Sequence, residues 1–215
     1  MIKIFKKLLN LIYSKSCYFC SKSDENVIFC SRCRKDVKYL PFNPEKSIIG
    51  VSVYAVSYYQ DTVKKLIKAV KFHNKRELAE YQAEIMYGYW KHIDICKRNY
   101  TVIPVPMFHK KEKRRKYNHM NLVGKKFCEV NGYKFDSTSL IRNRDTLPQY
   151  TLSVKEREKN LKDAFSLINK DIKEPLLIID DITTSGSTLR EIITELKGSG
   201  YSDITCLVTS VAKYG

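Results

Sequence analysis

The segment "LLIIDDITTSGSTL", residues 176–189, is the stretch that most restricts how this chain can fold. Four consecutive aliphatic residues run straight into two aspartates, then into small or hydroxylated residues around one glycine. An uninterrupted run of that kind reads as a buried strand of a parallel sheet, and the residues from Ser187 onward read as a helix. In an open parallel sheet, ligands bind outside the carboxyl ends of the strands. Asp180 and Asp181 would therefore sit at a crevice. Thr183, Thr184, Ser185, Gly186, Ser187 and Thr188 have so little bulk that an anion could approach the helix N-terminus closely. Two carboxylates beside such a cradle suit a ribose phosphate. They could accept hydrogen bonds from vicinal hydroxyls or hold a hydrated Mg²⁺ against them.

The rest of the chain is consistent with that unit. Residues 48–59 are rich in Val and Tyr and read as a strand. Val63, Leu66, Ile67 and Val70 recur at helical spacing from Asp61 to Phe72, and Leu78, Ile85 and Tyr89 do so from Leu78 to Trp90. A short strand is expected over 101–106, a charged mobile loop over 110–116, and a helix over 118–130. A short strand then starts at Ser139, a turn lies at Pro148, a helix starts at Ser153, and strands over 175–180 and 203–211 enclose the last helix. Alternating strands and helices imply an α/β fold: a mostly parallel sheet flanked by helices, with a small N-terminal lobe. A Walker loop is disfavoured, because Ser187 follows the glycine where Lys is needed, and a dinucleotide fingerprint needs more glycines than Gly186.

Cys17, Cys20, Cys30 and Cys33 form C-x2-C-x9-C-x2-C near the N-terminus. Residues 1–13 are too short and too interrupted by Lys3, Lys6, Lys7 and Asn10 to span a bilayer, and they lack a cleavage site. They read instead as a helix docking through Ile4, Leu8, Leu11 and Ile12. The expected compartment is the reducing cytoplasm, with peripheral binding at the inner membrane left open. There, paired C-x2-C knuckles read as one structural zinc site, the alternative being a redox dithiol. The prolines of residues 41–47 mark a linker, dividing the chain into a zinc lobe over 1–45 and a main domain over 46–215. A net charge of +16, from 39 Lys and Arg against 23 Asp and Glu, points to anionic partners.

The motif at 176–188 resembles the PRPP-binding loop of type I phosphoribosyltransferases. More narrowly, the chain resembles the ComF family (ComFC-type competence proteins), which joins an N-terminal four-cysteine motif to a phosphoribosyltransferase domain. "VIPVP" (102–106), "RKYNHMN" (115–121) and "LIRNRDTLPQYTLSVKEREKNLKDAF" (140–165) occur in the family's order. Within the last, the pattern falls on Leu140, Arg142, Arg144, Thr146, Gln149, Glu156, Arg157, Asn160, Ala164 and Phe165. Where the family carries R-G-F-N-Q, this chain has Arg115, Lys116, Tyr117, Asn118 and His119.

The resemblance implies that Asp180 and Asp181 act catalytically, on the ribose hydroxyls and Mg²⁺, and that residues 183–188 bind the 5′-phosphate of PRPP. Pyrophosphate would lie against backbone N–H groups of the turn after Val102–Pro106, with charge from Arg114, Arg115 or Lys116. Thr184 stands where purine-salvage relatives carry an aspartate base, so His119 is the remaining candidate base. Lys113, Arg114, Arg115 and Lys116 could instead contact single-stranded DNA, with Tyr100 and Phe108 offering stacking faces, or be solvated charge. The leading expectation is a cytoplasmic natural-transformation factor that uses or binds PRPP while single-stranded DNA is handled, beside a helicase or other competence proteins. A housekeeping phosphoribosyltransferase and a non-catalytic DNA-binding module are the alternatives.

Overall fold

A computed structural model describes residues 15–23, 25–145, 160–172 and 175–212. The expected helix over 1–13, the turn at Pro148, the start of the helix at Ser153, and Thr146, Gln149, Glu156 and Arg157 lie outside the described residues. The chain forms two compact units that divide between Lys38 and Tyr39.

In the smaller unit a short helix, α1 (Ser31–Lys35), starts directly after Cys30 and carries the buried Cys33. Cys17 O accepts from Ser21 N at 2.8 Å, and Cys17 N donates to Lys22 O at 2.7 Å, closing the first knuckle. Arg34 N donates to Cys30 O at 3.1 Å in the second. Phe29, 1% exposed, packs on Phe19 with ring centroids 4.4 Å apart and gives the lobe an apolar centre.

The larger unit is built on a six-stranded sheet of order β1-β2-β8-β7-β3-β4. These strands are β1 (Lys46–Ile48), β2 (Val51–Tyr58), β3 (Thr101–Pro104), β4 (Lys134–Phe135), β7 (Leu176–Thr183) and β8 (Ile204–Val211). Only the β1–β2 pair is antiparallel; the other four pairings are parallel. A separate hairpin pairs β5 (Leu140–Arg142) with β6 (Phe165–Leu167). Every residue of β8 is buried, as expected for a strand covered on both faces.

Helices α2 (Asp61–Phe72), α3 (Leu78–Trp90), α4 (His109–Arg115), α5 (His119–Asn131) and α6 (Ser187–Gly198) flank the sheet. Apolar residues at helical spacing are what α2 buries: Val63, Leu66, Ile67 and Val70. On α3, Trp90 is fully buried, edge-on to Tyr54 and Tyr100, and its indole donates to Tyr133 Oη at 2.9 Å. Each such large side chain contributes about 1.5–3 kcal/mol by leaving water. The periodic segments thus fold as read. Residues 110–116 do not: 110–115 lie in α4 and Lys116 caps it, instead of forming a mobile loop, because a hydrogen-bonded turn needs no apolar stripe. Among the described residues, no helix is long and apolar enough to cross a membrane.

Candidate functional site

β7 is longer than the expected 175–180. Its ladder with β8 continues through Ile182↔Ser210 and Thr183↔Val211, drawing both aspartates into the strand. Side chains alternate between the two faces of a strand, so neighbouring aspartates cannot share one environment. Asp181 and Ile179 lie on one face. A Cβ on Gly124 of α5 would come within 2.9 Å of Ile179 Cδ1, which identifies that face as the one α5 covers.

Asp181 is 3% exposed, whereas the sequence reading set both carboxylates alike at the crevice. Its Oδ2 accepts from Lys71 Nζ at 2.6 Å and from His119 Nε2 at 2.7 Å. Burial alone would raise its pKa, but the Lys71 ammonium and His119 outweigh it and hold the carboxyl well below the usual range. His119 Nδ1 lies 3.3 Å from Arg115 Nη1, and a guanidinium can only donate. His119 is therefore the Nε2–H tautomer, accepting from Arg115 and donating to Asp181. Burial keeps the ring neutral by lowering its pKa against the pull of Asp181. With both ring nitrogens engaged, His119 has no lone pair for a ligand, and the reading of it as a base is corrected. Asp180, half-buried, accepts from Asp181 N through Oδ1 at 2.8 Å. Burial and the Asp181 charge push its carboxyl up to about 7.

Beyond Thr183 the chain turns through Gly186, whose φ of +83° is the left-handed region where glycine costs least. A Cβ there would meet Ile48 Cδ1 at 2.6 Å, so β1 lies directly against the loop. Lys46 Nζ braces it by donating to Thr184 O at 2.9 Å. α6 begins at Ser187, and the N–H groups of its first turn have no carbonyl within the helix to bond. Thr183 Oγ1 is buried with no hydrogen-bond partner among the described residues.

These groups surround one cavity of about 920 Å³. Asp180, Asp181 and all of residues 183–188 line it, and these two aspartates are the only carboxylates among its lining residues. Of the four basic candidates, Arg114 and Arg115 line it, whereas Lys113 and Lys116 do not. Val105, Pro106 and Met107 form its edge after β3. Val105 N donates to Ile179 O at 2.9 Å and Pro106 has no N–H, so that turn offers an anion less backbone than expected. Tyr100 and Phe108 are 0% and 6% exposed, so neither presents a stacking face. The sequence reading missed Lys71. It lies 110 residues from Asp181, and its only local signal is a polar position at the end of an amphipathic helix.

Mg²⁺ prefers oxygen ligands and keeps several waters. Asp180 fits that chemistry, while Asp181 already has its charge matched by Lys71. In the smaller unit, the Sγ atoms of Cys17, Cys20, Cys30 and Cys33 lie within 4.8 Å of one another and can hold a metal ion. Cys20 and Cys30 Sγ are 3.7 Å apart. A tetrahedral zinc tetrathiolate, with bonds of ~2.3 Å, sets its sulfurs ~3.8 Å apart. Burial raises the pKa of Cys17, but backbone N–H donors outweigh it and bring it down to about 6. Burial and its sulfur neighbours push Cys33 up. Four thiols so crowded cannot all ionise without a cation among them.

No family model matches the chain. It is 27% identical over 212 residues to competence protein F of Haemophilus influenzae, covering 91% of this chain and 90% of that protein. It is 28% identical over 156 residues to the DNA utilization protein YhgH of Salmonella typhi, covering 70% and 67%. Among solved structures, adenine phosphoribosyltransferase from Thermoanaerobacter pseudethanolicus matches with a TM-score of 0.37 at 15% identity, over 85% of this chain and 98% of that one. The adenine phosphoribosyltransferase of Trypanosoma brucei matches at 0.40 and 12%, over 84% and 78%. The resemblance first drawn from the motifs agrees with these names, one a competence protein and the other a DNA utilization protein.

Proposed function

We propose that the chain is a ComF-type factor of DNA uptake whose larger unit binds PRPP with Mg²⁺ and whose cysteine lobe holds a structural zinc. The observation that carries the PRPP reading is one cavity combining two carboxylates at a strand end with a glycine turn into a helix start. In this reading the α6 N-terminus and the hydroxyls of residues 183–188 take the 5′-phosphate. Asp180 meets the ribose hydroxyls and the hydrated Mg²⁺. Asp181 keeps the strand end in position from behind. Arg115 stabilises charge on departing pyrophosphate, and Mg²⁺, when bound, supplies further electrostatic stabilisation there.

The curated relatives, named for competence and DNA utilization, support DNA handling over housekeeping salvage. Thr184 offers no carboxylate to a purine, so efficient hypoxanthine or guanine transfer is not expected. Single-stranded DNA would approach the basic α4, with a helicase or other competence proteins as partners, and a cytoplasmic site of action fits this reading. The test is calorimetry with PRPP, with and without Mg²⁺. Wild type should bind, more tightly with Mg²⁺, and Asp180→Asn should remove most of the Mg²⁺ increment. Absence of PRPP binding by wild type overturns the reading. Pyrophosphate release across a panel of bases separates an enzyme from a non-catalytic module, and transformation frequency in a deletion strain separates both from salvage.

A further inference from the structure

A second cavity of about 470 Å³ adjoins the first, within the ~300–1,000 Å³ range of small-molecule sites. Six of its nine lining residues are Lys or Arg, and none is acidic. Three of those cations already have work. Lys71 binds Asp181, Arg115 sits against His119, and Lys111 pairs with Asp145 at 3.0 Å. The other three, Arg76, Arg114 and Lys116, have no carboxylate partner among the described residues. Basic residues ending α4 offset its helix dipole, which accounts for Arg114 but not for Arg76, which lies in the connection between α2 and α3. Arg76 is fixed in place, its guanidinium 4.4 Å from the Tyr117 ring centroid and its Nε donating to Asn74 Oδ1 at 3.1 Å.

Phe72, at the end of α2, lines the same cavity and is 60% exposed. It lines both cavities. The Lys71 ammonium and the Arg115 guanidinium lie 5.8 and 5.4 Å from its ring centroid, yet most of the side chain stays in water, which leaves area for a flat partner, and the cations call for an anion. A nucleotide satisfies both.

We propose that this cavity binds one nucleotide unit, its base stacked on Phe72 and its phosphate held by Arg76, Arg114 and Lys116. The inference rests on the DNA-handling reading and gives it an address, next to the PRPP cavity rather than within it. The unit can be a free nucleotide or one residue of a single strand, since the chemistry recognised is the same.

Fluorescence anisotropy with labelled decathymidylate, and calorimetry with thymidine monophosphate, test this on the full chain. Phe72→Leu keeps apolar bulk but removes the ring, and should weaken binding roughly tenfold without altering salt dependence. Phe72→Trp should keep or tighten it. Replacing Arg114 and Lys116 by Gln should lower the slope of log affinity against log salt by ~0.7 for each phosphate no longer neutralised. Binding of the strand alone identifies the strand as the source, and equal response to the monophosphate identifies the free nucleotide. Undiminished affinity in Phe72→Leu overturns the subsite while leaving DNA handling intact. Stoichiometric displacement of the probe by PRPP also overturns it, by merging the two sites. If wild type binds neither probe, both readings fall, and the separate PRPP titration still judges the phosphoribosyl site.

Discussion

Lys116 occupies the left-handed region at φ +68°, closing α4 where the family pattern has glycine. Here a lysine adopts a backbone shape that glycine takes freely. A side chain there costs about 1–2 kcal/mol, partly offset by the entropy glycine loses on folding. Lys116→Gly should therefore raise stability by about 0.5–1 kcal/mol in denaturant melts, while removing a cation from the smaller cavity. The two aspartates give opposite titrations. Asp181 has a depressed pKa, so its stabilisation is complete above the unfolded value of ~4 and is lost as pH falls through the lower folded value. Asp181→Asn should cost about 2–4 kcal/mol at pH 7, since it strands the Lys71 ammonium, and should flatten the acid limb of the melting profile. Asp180 is raised to about 7, so the folded state binds the extra proton between ~pH 4 and 7 and stability declines as pH rises across that window. Asp180→Asn should stabilise the protein by about 1–2 kcal/mol at pH 8 and much less at pH 5. Melting curves at the two pH values check the sign of each.

At the scale of elements, the loop from β7 to α6 is held by contact with β1 as much as by its own sequence. Gly186→Ala meets both a left-handed backbone and the Ile48 side chain, and should cost about 2–3 kcal/mol and weaken PRPP binding. Adding Ile48→Ala should restore PRPP affinity in part, because it relieves the contact and not the backbone; a double-mutant cycle measures the share. Much of this layer is legible in the sequence. Apolar periodicity marks α2, α3, α5 and α6, and an aliphatic run marks β7, because burial imprints those patterns. α4 is illegible for the same reason: "HKKEKRR" buries nothing and so carries no stripe. The strand end is half legible. Its aspartates stand out, but treating them alike ignores the two-residue alternation that separates them once β7 reaches Thr183. Lys71, His119 as its co-partner, and exposed Phe72 are hidden because long-range packing, not local pattern, decides which residues meet there.

For the whole molecule, the division between Lys38 and Tyr39 separates a lobe centred on sulfur from a body centred on a sheet. On the proposed zinc reading, the four clustered thiols tie the lobe's folding to the metal, and the body has its own core. Chelation should release about one zinc per chain, and Cys20→Ser should unfold the lobe with PRPP binding kept; metal analysis and calorimetry decide. The chain's single tryptophan makes that separation observable. Trp90 lies fully buried in the body, among Tyr54, Tyr100 and Tyr133, and the lobe has no indole of its own. Intrinsic emission should stay blue-shifted when a chelator strips the lobe, and move to longer wavelength only when the sheet itself melts. The molecule thus carries a built-in optical label for one of its halves, and light alone can say which half a stress has undone.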